Sequence, residues 1–144
     1  MIDRFIIRVE KISDMEEQVI IVDIDDKQIG SEEKMAAHKD AKLHRAFSIF
    51  VHDDDGKILM QKRNKDKYHS GRLWTNTCCS HPRPGEDTKE AAKRRLKEEM
   101  GIESELRELF SFIYKHEFDK ELVENEYDHV LVGRYDQDND GEIR

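Results

Sequence analysis

The sequence predicts a mixed α/β domain: a sheet with several antiparallel pairs carrying one well-marked helix. Short β-branched runs alternate with acidic and glycine turns, the apolar period switches from strand-like to helical after Gly85, and no repeat or low-complexity linker interrupts the chain. A length of 144 residues suits one core and is short for two. A single domain over residues 1–144 is therefore expected. Residues 1–18 are ambiguous, because Ile2, Phe5, Ile6, Val9 and Ile12 suit either a short packed helix or a strand.

The elements follow in order. Residues 19–24 form a short β-branched run, and Asp25-Asp26 precede Gln28-Ile29-Gly30, which together read as a hairpin. Residues 46–51 and 57–62 flank Asp53-Asp54-Asp55-Gly56, a strong turn signal that makes a second hairpin. Asp87 can cap a helix, Glu90 three residues on can reach back as a capping box, and Gly101 suits the position just past the end. Within that helix Ala92, Arg95, Leu96 and Glu99 share one face. Residues 106–112 and 126–135 read as later strands, and residues 136–141 as a turn into a further strand that the chain stops short of completing.

Charge and composition narrow the function. Acidic residues outnumber basic ones by 33 to 25, and the formal net charge of -8 disfavours nonspecific attraction to nucleic acid or an anionic membrane. No apolar run reaches the length of a spanning helix, and Asp3, Arg4 and Arg8 interrupt the stretch a signal peptide would need. A cytoplasmic protein acting on a small molecule is expected, without nucleic acid or membrane as a partner; the oligomeric state is not legible. The two cysteines are adjacent, so a bond between them would close a tiny strained ring. Reduced thiols fit better, and a cysteine-rich zinc knuckle lacks its second pair.

Chemistry concentrates in two strips, Thr75-Asn76-Thr77-Cys78-Cys79-Ser80-His81-Pro82 and Val123-Glu124-Asn125-Glu126. In extended chain, residues two apart share a side, so Cys79 and His81 can converge, and so can Glu124 and Glu126. His38, His44, His81, Glu124 and Glu126 make a mixed nitrogen and oxygen donor set suited to zinc or manganese. Each histidine read alone is equally a solvated or hydrogen-bonded residue, the reading kept for His52, His69, His116 and His129. Cys78 alternates away from Cys79 and is read as packing, as is Trp74. Lys34, Arg63 and Lys67 are bases near these strips; they suit a diphosphate clamp or, equally, a scattered surface.

The helical region resembles the Nudix box, G-x5-E-x7-R-E-U-x-E-E-x-G-U with U aliphatic. Glu86, Arg94, Leu96, Glu98, Glu99, Gly101 and Ile102 match it, while Ser80 and Arg95 depart from it. A Nudix hydrolase gathers carboxylates around magnesium, so a guanidinium at Arg95 argues against hydrolysis and can instead grip a phosphate. With Met35-Ala36-Ala37-His38, Leu43-His44-Arg45-Ala46-Phe47-Ser48 and the two strips, the chain from about Val19 to Tyr135 is similar to type I isopentenyl diphosphate isomerase, a Nudix-fold family. The resemblance implies interconversion of isopentenyl and dimethylallyl diphosphate in isoprenoid biosynthesis, by proton addition at one carbon and removal at another. It further implies that Cys79 and Glu126 are catalytic and assisted by Tyr114. By the same resemblance His38, His44, His81, Glu124 and Glu126 hold a metal, manganese or zinc, and Glu99 associates with magnesium at the diphosphate. Lys34, Arg63, Lys67 and Arg95 fall on the family's diphosphate-binding positions. Members of the family continue for several dozen residues past this chain's last residue, so a Nudix-like fold lacking its C-terminal strand and helix is expected, without the aromatic residue that covers the substrate. The competing readings are a Nudix hydrolase of a nucleoside or other diphosphate, and a metal- or diphosphate-binding module without turnover.

Overall fold

The structure is a computed structural model that describes residues 17–62, 74–118 and 122–135. The mixed α/β architecture expected from the sequence is present. Strands β1 (Gln18–Val22) and β2 (Gln28–Glu33) form the first hairpin, with Ile20 opposite Ser31. The first strand stops at Val22, short of Ile24, because the Asp23 carboxylate accepts from the backbone N–H of Asp25 at 2.9 Å and of Lys27 at 3.0 Å and turns the chain.

A short helix that the sequence reading did not anticipate follows, α1 (Lys34–Lys39). Its cap is Glu33, whose carboxylate accepts from Met35 N at 3.2 Å and Ala36 N at 2.9 Å. Ala37 and His38 are its buried residues. Strand β3 (His44–His52) then runs through the centre of the sheet.

The second expected hairpin forms only in part. Beyond the Asp53 turn a single bridge joins His52 to Ile58, and β4 (Gln61–Lys62) pairs with β5 (Trp74–Thr75) in a separate two-stranded ladder. The edge of β3 is taken instead by β6 (Cys78–Ser80), with Ser48 opposite Cys79. Thr77 explains the substitution: its hydroxyl accepts from Val51 N at 2.9 Å and donates to Leu59 O at 2.6 Å, standing between the two segments that would otherwise zip together. Arg63, Lys67 and His69 lie outside the described residues, as do residues 1–16, the side chain of Trp74 and the expected turn at residues 136–141.

Helix α2 (Thr88–Met100) is capped as the sequence predicts, with Asp87 accepting from Glu90 N at 3.2 Å and Gly101 at φ 73 closing the C-terminus. The two later strands are longer than expected, β7 (Arg107–Phe118) and β8 (Leu122–Arg134), and pair antiparallel. The sheet order is β2-β1-β3-β8-β7, with β6 added on β3, and the β3–β8 contact is parallel.

Alternation sorts β3 onto two faces. Phe47, Ile49 and Val51, with Cys78, are buried against Ala91, Ala92, Leu96 and Met100 of α2 and against Ile102, Leu106 and Leu131. Each large side chain hidden this way stabilises the fold by about 1.5–3 kcal/mol. On the same side, Asp26 in the first turn accepts from Arg45 Nε at 2.8 Å and meets His129 Nε2 at 2.8 Å, tying the turn to β3 and β8. The other face carries His44, Ala46 and Ser48, and α1 covers part of it. No helix among the described residues is long and apolar enough to cross a membrane.

The loop before α2 is held by a two-pronged ion pair. Arg94 donates to Glu86 through Nε at 2.7 Å and through a terminal nitrogen at 2.9 Å, and Arg83 N adds a bond to the same carboxylate at 2.9 Å. The Arg94 bonds hold the Glu86 carboxyl below the usual range. A depressed folded-state pKa contributes stability above the unfolded pKa of 4.5 and loses it as pH falls through the lower folded value. Glu86→Gln should cost about 1 kcal/mol in urea unfolding at pH 7, and that difference from the parent should shrink toward zero near pH 3. An unchanged difference at both pH values would assign the cost to packing instead.

Candidate active site

The parallel register of β3 on β8 sets His44 directly beside Glu126 and Ala46 beside Asp128. Pairing of β6 with β3 sets Cys79 beside Ser48. Because period-2 alternation keeps His44 and Ser48 on one face, the imidazole, both acidic side chains and the Cys79 thiol all project from the same side of the sheet. Helix α1 lays His38 over this face, and His81 enters from the end of β6.

Three imidazoles and a carboxylate converge. One donor atom from each of His38, His44, His81 and Glu126 lies within 4.8 Å of the others. The ring centroids of His44 stand 4.9 Å from His38 and 5.0 Å from His81. His81 Nε2 meets Glu126 Oε2 at 2.9 Å, and His44 Nε2 stands 3.6 Å from the same oxygen. His38 and His44 are fully buried and His81 nearly so.

Backbone contacts set the tautomers. His38 Nδ1 lies 2.8 Å from Lys34 O and His44 Nδ1 2.9 Å from Lys42 O, so each donates Nδ1–H to a carbonyl and turns Nε2 away from that bond. His44 Nε2 is buried with no hydrogen-bond partner, an arrangement that costs free energy in a purely protein environment. Burial lowers the basicity of His38 and pushes His81 down to about 4 despite the carboxylate beside it, so both stay neutral. For Glu126 burial acts upward, but the adjacent His44 and His81 rings outweigh it and hold the group well below the usual carboxylate range. Imidazole nitrogens gathered around an ionised carboxylate are the donor chemistry of a divalent cation site.

Glu124 precedes this group on the same face of β8. It contributes no atom to the four-residue cluster but lies near enough to act on His38 by its charge. Asn125 faces elsewhere and donates to Ala41 O at 2.9 Å, tying β8 to the turn between His38 and His44. Tyr114 sits opposite Glu126 on β7, partly exposed; burial, then the charges of Glu124 and Glu126, push its phenol upward and keep it protonated.

The thiols part as alternation predicts. Cys78 is buried and donates to Glu99 Oε2 at 3.1 Å on the α2 side. Cys79 opens to solvent, yet the protein crowded around its base withdraws water from the thiolate and pushes the thiol up to about 11. Its sulfur lies 2.7 Å from Asn76 Oδ1 and 3.8 Å from Ser48 Oγ, and Ser48 donates to Asp128 Oδ2 at 2.8 Å.

Sequence reasoning passed over Ser48, Asn76 and Asp128. Asp128 is buried and raised to about 6, first by burial and then by the neighbouring Glu126. The signal was there, since the alternation that joins Glu124 to Glu126 continues to Asp128.

Arg95 and Glu99 are not part of the histidine cluster. They face the Cys78 side, where Arg95 pairs with Glu98 at 2.7 Å and Glu99 at 2.9 Å while its Nε is buried without a partner. Glu99 also accepts from Gln61 Nε2 at 3.3 Å. Lys34 pairs with Glu17 at 3.7 Å and lies close enough to His81 to lower its basicity.

Comparison with known proteins shows the family of the chain. A NUDIX domain model matches residues 42–144. Isopentenyl-diphosphate Delta-isomerase 2 of Aromatoleum aromaticum is 54% identical over 122 residues, covering 85% of this chain and 65% of that protein. Isopentenyl-diphosphate Delta-isomerase 1 of the same organism is 56% identical over 124 residues, covering 86% of this chain and 70% of that protein. The chain thus spans about two thirds of the length of the curated relatives it matches. In fold it is similar to a Deinococcus radiodurans protein of known crystal structure, with a TM-score of 0.67 at 19% identity over 89% of this chain and 82% of that one.

If the buried histidines serve a cation, His44→Ala should lower the affinity for zinc or manganese by about 100-fold or more. Titration calorimetry on the metal-stripped protein measures this. Equal affinity in parent and variant would leave His44 a hydrogen-bonded core residue.

Proposed function

The chain belongs to the NUDIX domain family, among relatives named isopentenyl-diphosphate Delta-isomerase, and on that premise we propose that it interconverts isopentenyl and dimethylallyl diphosphate. The observation that carries the proposal is the shared sheet face that holds a neutral thiol at Cys79 and an ionised carboxylate at Glu126 gathered with His38, His44 and His81.

An unactivated alkene is a poor base. Moving its double bond needs an acid on one side of a flat five-carbon unit, a base on the other, and a tertiary cation kept from water between them. Cys79 at about 11 is a thiol at neutral pH and can give a proton or take one back without a lasting covalent bond. Glu126, well below the usual carboxylate range, is ionised and serves as the opposing base. Tyr114, across the ladder from Glu126, remains a phenol able to donate to that carboxylate and offers a ring face to developing positive charge. Each positioned acid or base supplies about 10²- to 10⁴-fold, and anchoring by the diphosphate supplies orientation beyond that.

A divalent cation, manganese or zinc, would be held by His38, His44, His81 and Glu126 with Glu124 at its edge. When bound it would stabilise the ionised carboxylate and fix its geometry. Arg95, Lys34, Arg63 and Lys67 are assigned to the diphosphate, with Glu99 holding magnesium there. The Arg95 guanidinium stands where the hydrolase box carries a carboxylate and pairs with Glu98 and Glu99, so the box has one acidic ligand fewer for magnesium than a hydrolase, and this disfavours phosphate release.

Isotope exchange tests the assignment. With isopentenyl diphosphate, divalent metal and heavy water, the parent protein should incorporate deuterium and form the dimethylallyl isomer, whereas Cys79→Ala and Glu126→Gln should each lose at least about 10³-fold. Near-parental turnover in either variant would refute its role. Phosphate release without isomer exchange would point to a hydrolase, and metal binding with neither product to a binding module.

A further inference from the structure

Asn76 stands in the same strip as Cys79, and the isomerase reading gives it no role. Its side chain is unusually constrained. Nδ2 donates to Ile49 O at 3.0 Å and to Cys78 O at 2.9 Å, so both amide hydrogens are committed to backbone carbonyls of adjoining strands. A primary amide has only two hydrogens, and with both fixed the opposite end can only be the carbonyl oxygen. That oxygen lies 2.7 Å from Cys79 Sγ and also accepts from Thr75 Oγ1 at 3.0 Å.

The thiol has one hydrogen to donate. Ser48 Oγ, the other polar neighbour, is farther away at 3.8 Å and gives its own hydrogen to Asp128. Asn76 is thus the better acceptor, and it cannot rotate to become a donor without breaking two backbone bonds.

We infer that Asn76 is the positioning residue for Cys79: its locked carbonyl oxygen holds the thiol at rest and fixes the place of the sulfur, from which the S–H turns to the olefin when a proton is exchanged. This inference rests on the isomerase reading for its catalytic consequence but not for its geometry. Thr75, by donating to the same oxygen, helps hold it in place. Asn76 acts only through the sulfur that it contacts.

Two substitutions separate positioning from strand support. Asn76→Ala removes both the acceptor and the two carbonyl ties; Asn76→Asp removes the ties but restores an oxygen to the thiol. Both should lower the thermal midpoint. Asn76→Ala should lower kcat by about 10- to 100-fold with KM within about twofold, the pattern of a misdirected proton transfer, and Asn76→Asp should recover most of that loss despite its lower stability. Alkylation of Cys79 by iodoacetamide, followed by mass spectrometry, reads the thiol without turnover and should be several-fold faster in Asn76→Ala than in the parent or in Asn76→Asp.

An unchanged kcat or alkylation rate in Asn76→Ala would overturn the inference. So would activities of the two variants that fall together in step with the thermal midpoint. If the parent protein shows no isomer exchange, the isomerase reading fails, while the alkylation order still decides whether Asn76 directs the thiol.

Discussion

The parallel contact between β3 and β8 is the constraint on which the site depends. It joins segments about eighty residues apart in the chain, and its register places His44 against Glu126. A slip of one residue would turn every side chain of one strand to the opposite face and send His44 into the α2 core. The register is protected on that core side, where Phe47, Ile49, Val51 and Leu131 are buried and no polar side chain could replace them cheaply. Apolar packing on one face therefore guarantees the chemistry on the other.

The site face is organised in a way that packing alone does not reward. Three buried imidazoles crowd one carboxylate, and polar atoms at His44 Nε2, His81 Nδ1 and Asp128 Oδ1 are buried without hydrogen-bond partners. Such groups destabilise a fold unless something else engages them. Their burial has a chemical effect in return: it keeps His38 and His81 neutral, while the His81 hydrogen bond and the adjacent His44 ring help keep Glu126 ionised. The same crowding holds Cys79 as a thiol. One sheet face therefore carries a proton donor and a proton acceptor in different states at the same pH, and that difference follows from their neighbours.

Local signals made much of this legible. The Asp87 cap and the Gly101 stop are each written in a few adjacent residues and form where expected, while the first turn forms slightly early, from Asp23. The opposite directions of Cys78 and Cys79 followed from alternation alone. Non-local choices were not legible. Nothing in residues 57–62 announces that the Thr77 hydroxyl will interrupt their pairing with β3, and nothing in either strand announces that β3 and β8 run parallel. Helix α1 escaped notice because its cap is a glutamate, a residue that rarely plays that part, and because it is barely more than one turn long. The histidine cluster could be proposed from residue types, but its convergence depends on that short helix and that parallel contact together. Asn76 was invisible as a functional residue because its lock needs, besides the nearby Cys78 carbonyl, that of Ile49 on a distant strand.

As proposed above, His38, His44, His81 and Glu126 would hold the metal, and Cys79, which contributes no atom to that cluster, would stay available for proton transfer. X-ray absorption spectroscopy on the protein loaded with one equivalent of zinc tests this most directly. The expected spectrum has a first shell of nitrogen and oxygen only, with the multiple-scattering pattern of the three imidazoles of His38, His44 and His81. A sulfur scatterer at about 2.3 Å, or a shell without imidazole, would contradict it.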